Sequence, residues 1–254
     1  MHKKISKQWL PNLPFKSILG KINAFPSEFL VFFSLLVFSL SLFYYLIHYM
    51  ISEKQNILDN SAFLILQPLI SEKLTFLARL ITFFGTGSFL IPSYLFIIFY
   101  LLRKRFTRYA LMVAAIVMSS LFLGWILKPI FHRSRPSYPL VGGAGGYSFP
   151  SGHALGGFIF SGVLLVIVWK SRKNIYVKWL LSFSIVTLGL SIGISRIYLH
   201  VHYATDVIGS LFVTMAWFSF SNMFFRLIFK DDMHETELTG TSQNAISDHY
   251  HFNS

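Results

Sequence analysis

The chain has 254 residues, 54% of them hydrophobic and 18% aromatic, with 13% charged and a formal net charge of +12. A soluble core cannot hide that much apolar side chain at its surface-to-volume ratio, whereas lipid accepts it, so the composition points to a membrane protein. The basic residues form short clusters beside hydrophobic runs, which sets nucleic acid aside as a partner, and the lack of cysteine excludes disulfides, thiolate metal sites, iron–sulfur clusters and cysteine nucleophiles.

Residues 1–28 form a basic N-terminal segment carrying Lys3, Lys4, Lys7, Lys16 and Lys21. A membrane-crossing helix needs about 20 largely apolar residues. Six stretches qualify, at 29–51, 84–102, 109–127, 153–169, 177–195 and 203–225, so the expected fold is an all-α polytopic membrane protein with six transmembrane helices. The first span is too long for the apolar region of a cleaved signal peptide, and no Ala-x-Ala-like residues follow it; it is expected to be retained. Between spans one and two, Glu53, Lys54, Asp59, Glu72, Lys73 and Arg79 interrupt short apolar stretches. This reads as an interfacial helical segment broken near Pro68, with an ordinary extramembrane loop as the alternative. The domain so defined covers 29–229. The polar stretch 230–254 is expected to be a disordered tail, with His234, His249 and His251 too scattered to hold a metal.

Cytoplasmic loops carry the excess of Lys and Arg. Fifteen of the 22 fall on the side that holds both termini and seven on the other, so both termini are expected in the cytoplasm of a bacterial cell, with the chain in its cytoplasmic (inner) membrane.

Helix parity then defines the outer ends, and the unusual polar residues fall there. Lys128, Arg133 and Arg135 follow span three, Ser151 and His153 open span four, Arg196 closes span five, and His202 with Asp206 opens span six. Three cations at a membrane boundary ask for an anion, and the planar arginine fork suits phosphate oxygens. Snorkelling to headgroups explains a lone Lys or Arg, but not three beside two histidines and an aspartate. In Ser148-Phe149-Pro150-Ser151-Gly152-His153 a loop gives way to a helix, with Ser151 a candidate N-cap and Gly152 allowing close backbone approach; free N–H groups there favour an anion. His202 and Asp206 stand four residues apart, the spacing at which a carboxylate holds one ring nitrogen and frees the other as a nucleophile. The same spacing is half a metal site, which the surrounding cations and the single carboxylate disfavour.

Together these stretches resemble the signature of the type 2 phosphatidic acid phosphatase (PAP2) family, whose site is also shared with vanadium haloperoxidases. The first motif is Lys128-Pro129-Ile130-Phe131-His132-Arg133-Ser134-Arg135-Pro136, the second Pro150-Ser151-Gly152-His153, and the third Ser195-Arg196, five residues, His202, three residues and Asp206. The five-residue gap selects His202 over His200, which becomes a bystander or supporting group. His132 and Arg133 occupy variable positions of the first motif and receive no catalytic role. The resemblance implies attack by His202 on phosphorus, a phosphohistidine that water hydrolyses, and no metal or other cofactor. It assigns Asp206 to the tautomer of His202 and His153 to the leaving oxygen, with Lys128, Arg135, Arg196, the Ser151 hydroxyl and the Gly152 N–H holding the phosphoryl oxygens.

The expected partners are the bilayer and a lipid phosphate or diphosphate, such as undecaprenyl diphosphate, phosphatidylglycerophosphate, phosphatidic acid or a lipid A phosphate; no obligate protein partner is evident. A lipid phosphotransferase using the same phosphohistidine is the enzymatic rival. An anionic-lipid transporter or flippase is the other, disfavoured because the span interiors carry no Asp, Glu, Lys or Arg. The glycines at 142, 143, 145 and 146 suggest a lid, or merely a mobile connector, and Tyr138, Tyr147 and Phe149 are placed to meet lipid chains.

Overall fold

A computed structural model describes residues 27–52, 57–142 and 145–228. Most of the basic N-terminal segment, Glu53, Lys54, Gly143 and the polar tail with its three histidines lie outside the described residues.

Every regular element among the described residues is a helix. Helix α1 (Ser27–Ser52) is the first span; α2 (Ile57–Leu66), a short 3₁₀ turn (Gln67–Leu69) and α3 (Glu72–Phe83) follow, then α4 (Gly87–Arg103), α5 (Thr107–Phe131), α6 (Gly152–Lys170), α7 (Ile175–Tyr198) and α8 (Ala204–Ile228). Six segments are long and apolar enough to cross a membrane, the second of them joining α3 and α4 as Glu72–Arg103. The helices outrun the apolar stretches because backbone hydrogen bonding continues into polar end residues. The last turn of α5 therefore includes Lys128 and Pro129.

The segment 57–83 is helical and packed, not a loop. Pro68 falls in the 3₁₀ turn that ends α2, where its missing N–H does least harm, and Ser71 caps α3 by accepting the Leu74 N–H at 3.3 Å. The Ser71 N–H in turn donates to the Tyr198 hydroxyl at 3.2 Å, which ties the start of α3 to the end of α7.

Helix α1 lies along α8, α6 packs on both α7 and α8, and α4 pairs with α5. Glu28 at the start of α1 forms an ion pair with Arg226 at the end of α8, so the two helices are antiparallel and the domain begins and finishes at one end of the bundle. The central core is built from Leu90, Tyr94, Ile116, Leu155, Ile159 and Phe160. Outward-facing Phe96, Trp125 and Phe183 are 68%, 70% and 72% exposed in the bare protein, as expected of surfaces whose solvent is lipid.

Two glycines set close approaches that matter to the site. A Cβ on Gly85 would sit 2.9 Å from the His153 carbonyl oxygen, so only glycine lets the α3–α4 turn rest against the start of α6. Gly209 of α8 likewise makes room for the Phe149 ring. Phe149, read from sequence as a residue that meets lipid chains, is instead fully buried between Phe43 and Phe131, with ring centroids at 6.0 and 4.8 Å. Without a Cβ at 209 the ring enters the bundle and buries its whole apolar face there. Tyr138 and Tyr147 remain exposed.

Candidate active site

Four helix ends meet at one end of the bundle. The His202 N–H donates to the Arg196 carbonyl at 3.3 Å, the Ser151 N–H to the Asp206 carbonyl at 3.4 Å, and the Ser210 hydroxyl to the Ser151 carbonyl at 3.1 Å. These bonds clasp the end of α7 and the starts of α6 and α8. From α5 the chain turns through His132, whose backbone takes a left-handed conformation (φ 45°), and carries Arg133 and Arg135 across the same end.

His202 sits just ahead of α8 instead of within it, while Asp206 occupies its first turn. The Asp206 Oδ2 accepts the Tyr203 N–H at 2.9 Å, reaching back to satisfy a free donor of the helix start. The same oxygen lies 3.3 Å from His202 Nδ1 and accepts the Ser148 hydroxyl. With the Nδ1 proton assigned toward Asp206, the Nε2 lone pair faces outward, 3.0 Å from Arg135 Nη1. His202 is 2% exposed. Burial lowers its pKa below the ordinary histidine value and is the largest cause; the Asp206 hydrogen bond and charge oppose it, and Arg135 and Arg196 reinforce it. The imidazole is thereby held neutral, the form with a free electron pair.

The groups assigned to phosphate lie at the same end of the bundle, with Arg135 and Arg196 acting electrostatically on His202. Arg196 donates through Nη1 to Thr82 Oγ1 at 2.9 Å, yet its Nε, buried, has no hydrogen-bond partner. Ser151 stands at the N-cap position of α6 without capping it, and its fully buried hydroxyl is also unpartnered. A Cβ on Gly152 would meet no protein atom within 4 Å, so its backbone borders open space. Lys128 is half-buried and interacts electrostatically with Arg135 and Asp206; His153 does so with Arg196, His202, Lys128 and Arg135. All eight residues expected from the sequence thus converge. His200 does not join them: it takes a left-handed backbone (φ 54°) and its ring packs on Phe63 at 4.6 Å.

Among the described residues, no three His, Cys, Asp or Glu side chains gather as a metal-holding group. The Arg135 guanidinium also donates to the carbonyls of Gly145, Gly146 and Tyr147, the first two at 3.0–3.2 Å, so the glycine-rich loop is latched to a site residue.

Several residues of the site carry no spacing signal. Ser148 holds Asp206, Thr82 from α3 orients Arg196, and Arg133 bridges two buried carboxylates, 2.5 Å to Asp206 Oδ1 and 2.6 Å to Asp59 Oδ2. The sequence reading gave Arg133 no catalytic role, and it stands beside, not in, the cradle. The available clue was Asp59, the one charged residue of a mostly apolar helix.

A multi-pass helical protein with a buried His–Asp pair facing a ring of cations has the architecture of a membrane-embedded phosphatase. Residues 108–229, which contain all three motifs, match the model of the PAP2 superfamily. Phosphatidylglycerophosphatase B of Bacillus subtilis is 29% identical over 159 residues, spanning 60% of this chain and 73% of that protein. The undecaprenyl-diphosphatase BcrC of the same organism is 29% identical over 42% of this chain and 54% of its own length. The crystal structure of a transmembrane PAP2 type phosphatidylglycerolphosphate phosphatase from Bacillus subtilis superposes with a TM-score of 0.64 at 25% identity, covering 73% of this chain and 94% of that one. Over residues 108–229 the chain is similar to the PAP2 superfamily, and it is a lipid phosphatase.

Proposed function

We propose that the chain hydrolyses a phosphomonoester or diphosphate on a membrane lipid through a phosphohistidine on His202, at the outer face of the cytoplasmic membrane. The observation that carries this reading is the pair of buried, unpartnered donors, Ser151 Oγ and Arg196 Nε, gathered with Arg135 around a neutral His202. An unpaired buried donor is costly, about 1–3 kcal/mol, and a ligand rich in acceptors relieves it.

In the first step the His202 Nε2 lone pair attacks phosphorus and the bond to the leaving oxygen breaks; His153 donates a proton to that oxygen. Asp206 accepts the Nδ1–H bond and stabilises the positive ring that results. Lys128, Arg135, Arg196, the Ser151 hydroxyl and the Gly152 N–H take the phosphoryl oxygens as charge redistributes. In the second step His153, now deprotonated, takes a proton from water, whose oxygen attacks phosphorus and frees His202. These groups hold the phosphate alone, and the names of the relatives include both a phosphomonoester and a diphosphate. The substrate class is therefore the lipid phosphate, not one lipid. The outward orientation is supported by the distribution of Lys and Arg, fifteen against seven.

The test is phosphate release from phosphatidylglycerophosphate, undecaprenyl diphosphate, phosphatidic acid and lipid A by purified wild type, His202→Ala and Asp206→Ala, with and without chelator, in heavy-oxygen water. Heavy oxygen should enter the released phosphate, and the chelator should change nothing. Activity surviving in His202→Ala, chelator sensitivity, or a phosphorylated acceptor without label in phosphate each overturns one element of the mechanism. Comparing right-side-out with inverted vesicles, using an impermeant inhibitor, decides the side.

A further inference from the structure

Asp59 lies in α2, far along the chain from every motif, yet its side chain is 1% exposed. Its Oδ1 accepts the Thr205 N–H at 2.8 Å, the Thr205 hydroxyl lies at 2.9–3.0 Å from both oxygens, and Oδ2 meets Arg133 Nη2 at 2.6 Å. The other arm of that guanidinium, Nη1, donates to Thr205 Oγ1 at 2.6 Å and Asp206 Oδ1 at 2.5 Å, and its Cζ lies 4.2 Å from the centre of the Tyr203 ring. Arg133 is therefore fixed on three sides, and Asp206 has both oxygens occupied.

Charge makes the arrangement more than a brace. Two carboxylates share one guanidinium, which leaves one negative charge in excess next to His202. Were Arg133 paired with Asp206 alone, its cation would cancel the carboxylate that the ring of His202 relies on when it turns positive. Asp59 takes up half of the guanidinium and leaves Asp206 electrostatically available.

We infer that Asp59 and Arg133 are positioning residues that hold the Asp206 carboxylate in place and set the charge it presents to His202, so that a segment outside the motifs tunes the nucleophile. This rests on the reading of His202 above. The other charged or titratable groups facing His202 are Arg135 after α5, Arg196 of α7 and His153 of α6, with Lys128 of α5 beyond His153. All stay unchanged in the variants below.

The experiment is the pH profile of kcat/KM for phosphate release by the full chain, for wild type, Asp59→Asn, Arg133→Gln and the double variant, with His202→Ala as control. Each single variant should lose roughly ten- to hundredfold in kcat through misplacement of the carboxylate, with KM little changed. The acidic limb, where His202 loses its proton, should move in opposite directions. In Asp59→Asn one negative charge is gone, the protonated ring is less favoured, and the limb moves to lower pH. In Arg133→Gln two carboxylates remain without their cation, the protonated ring is favoured, and the limb moves to higher pH. The double variant restores the excess of one negative charge and should bring the limb back toward wild type although kcat stays low. A purely structural brace would give losses without this pattern. Limbs that coincide in all the enzymes, or that shift the same way in both single variants, overturn the inference. Should one single variant fail to fold, the other decides: a limb moved to lower pH in Asp59→Asn, or to higher pH in Arg133→Gln, supports the inference, and a limb at the wild-type pH overturns it. Activity in His202→Ala refutes the nucleophile itself, whereas an inactive His202→Ala with immobile limbs refutes only the role of Asp59 and Arg133.

Discussion

The two halves of the active site are built on opposite rules. On the side of the carboxylate, Asp206 is held by the Tyr203 N–H, the Ser148 hydroxyl and Arg133, and Asp59 is held by Thr205 and Arg133. On the side of the phosphate, Ser151 Oγ and Arg196 Nε are buried with no partner, and the backbone at Gly152 borders open space. The difference separates what must not move from what must bind: the orienting groups satisfy one another inside the protein, and the receiving groups are left wanting acceptors. Such preorganised but unsatisfied donors trade stability for catalysis.

Substitutions on either side test that contrast. The largest effect belongs to the residue at the junction: His202→Ala should lower kcat by at least about 10³-fold in a phosphate-release assay, because the proposed mechanism places the covalent intermediate on that residue. Arg196→Gln should cost roughly 10²- to 10³-fold in kcat, the scale of losing one preorganised donor to a developing anion. Next comes the pair that tests the contrast directly. Ser151→Ala should reduce activity while leaving thermal stability unchanged or slightly raised, since it deletes an unpaired buried hydroxyl. Ser148→Ala should lower both, with a stability loss of about 1–2 kcal/mol, because its hydroxyl is bonded to Asp206. If calorimetry of the two variants gives equal destabilisation, the division into satisfied and unsatisfied halves is wrong.

The pH dependence follows from the same geometry. In the proposed mechanism His202 attacks only when neutral, so activity should rise as pH climbs through its pKa, and burial has moved that value below the ordinary 6.5. The acidic limb of the wild-type kcat/KM profile should therefore lie below 6.5, and a limb above it would mean that the Asp206 interaction outweighs burial. The smallest effect is expected far from the site. Arg226→Gln removes the partly exposed partner of Glu28 at the opposite end of the bundle and should change stability by no more than about 1 kcal/mol, with activity untouched.

Most of the spans and the meeting of the motif residues at one end of the bundle were legible in the sequence, for a physical reason. Crossing a bilayer demands a long apolar run whatever the neighbours are, and residues brought to one end of a bundle from the same segment keep fixed spacings within it, as Lys128 and Arg135, Ser151 and His153, and His202 and Asp206 do. Phe149 was misread because its fate depends on Gly209, a residue of another helix that leaves room for the ring. Asp59, Thr82 and Ser148 were missed as site residues because each acts on a partner remote in sequence: Arg133, Arg196 and Asp206.

A multi-pass helical protein and the convergence of four helix ends follow from the order of the residues alone, because hydropathy and helix parity are properties of one chain read in order. The tertiary structure alone decided which polar atoms are satisfied and which are free, and that Asp59 shares Arg133 with Asp206. Those depend on burial and on hydrogen-bond partners brought from distant segments, and no local pattern encodes them.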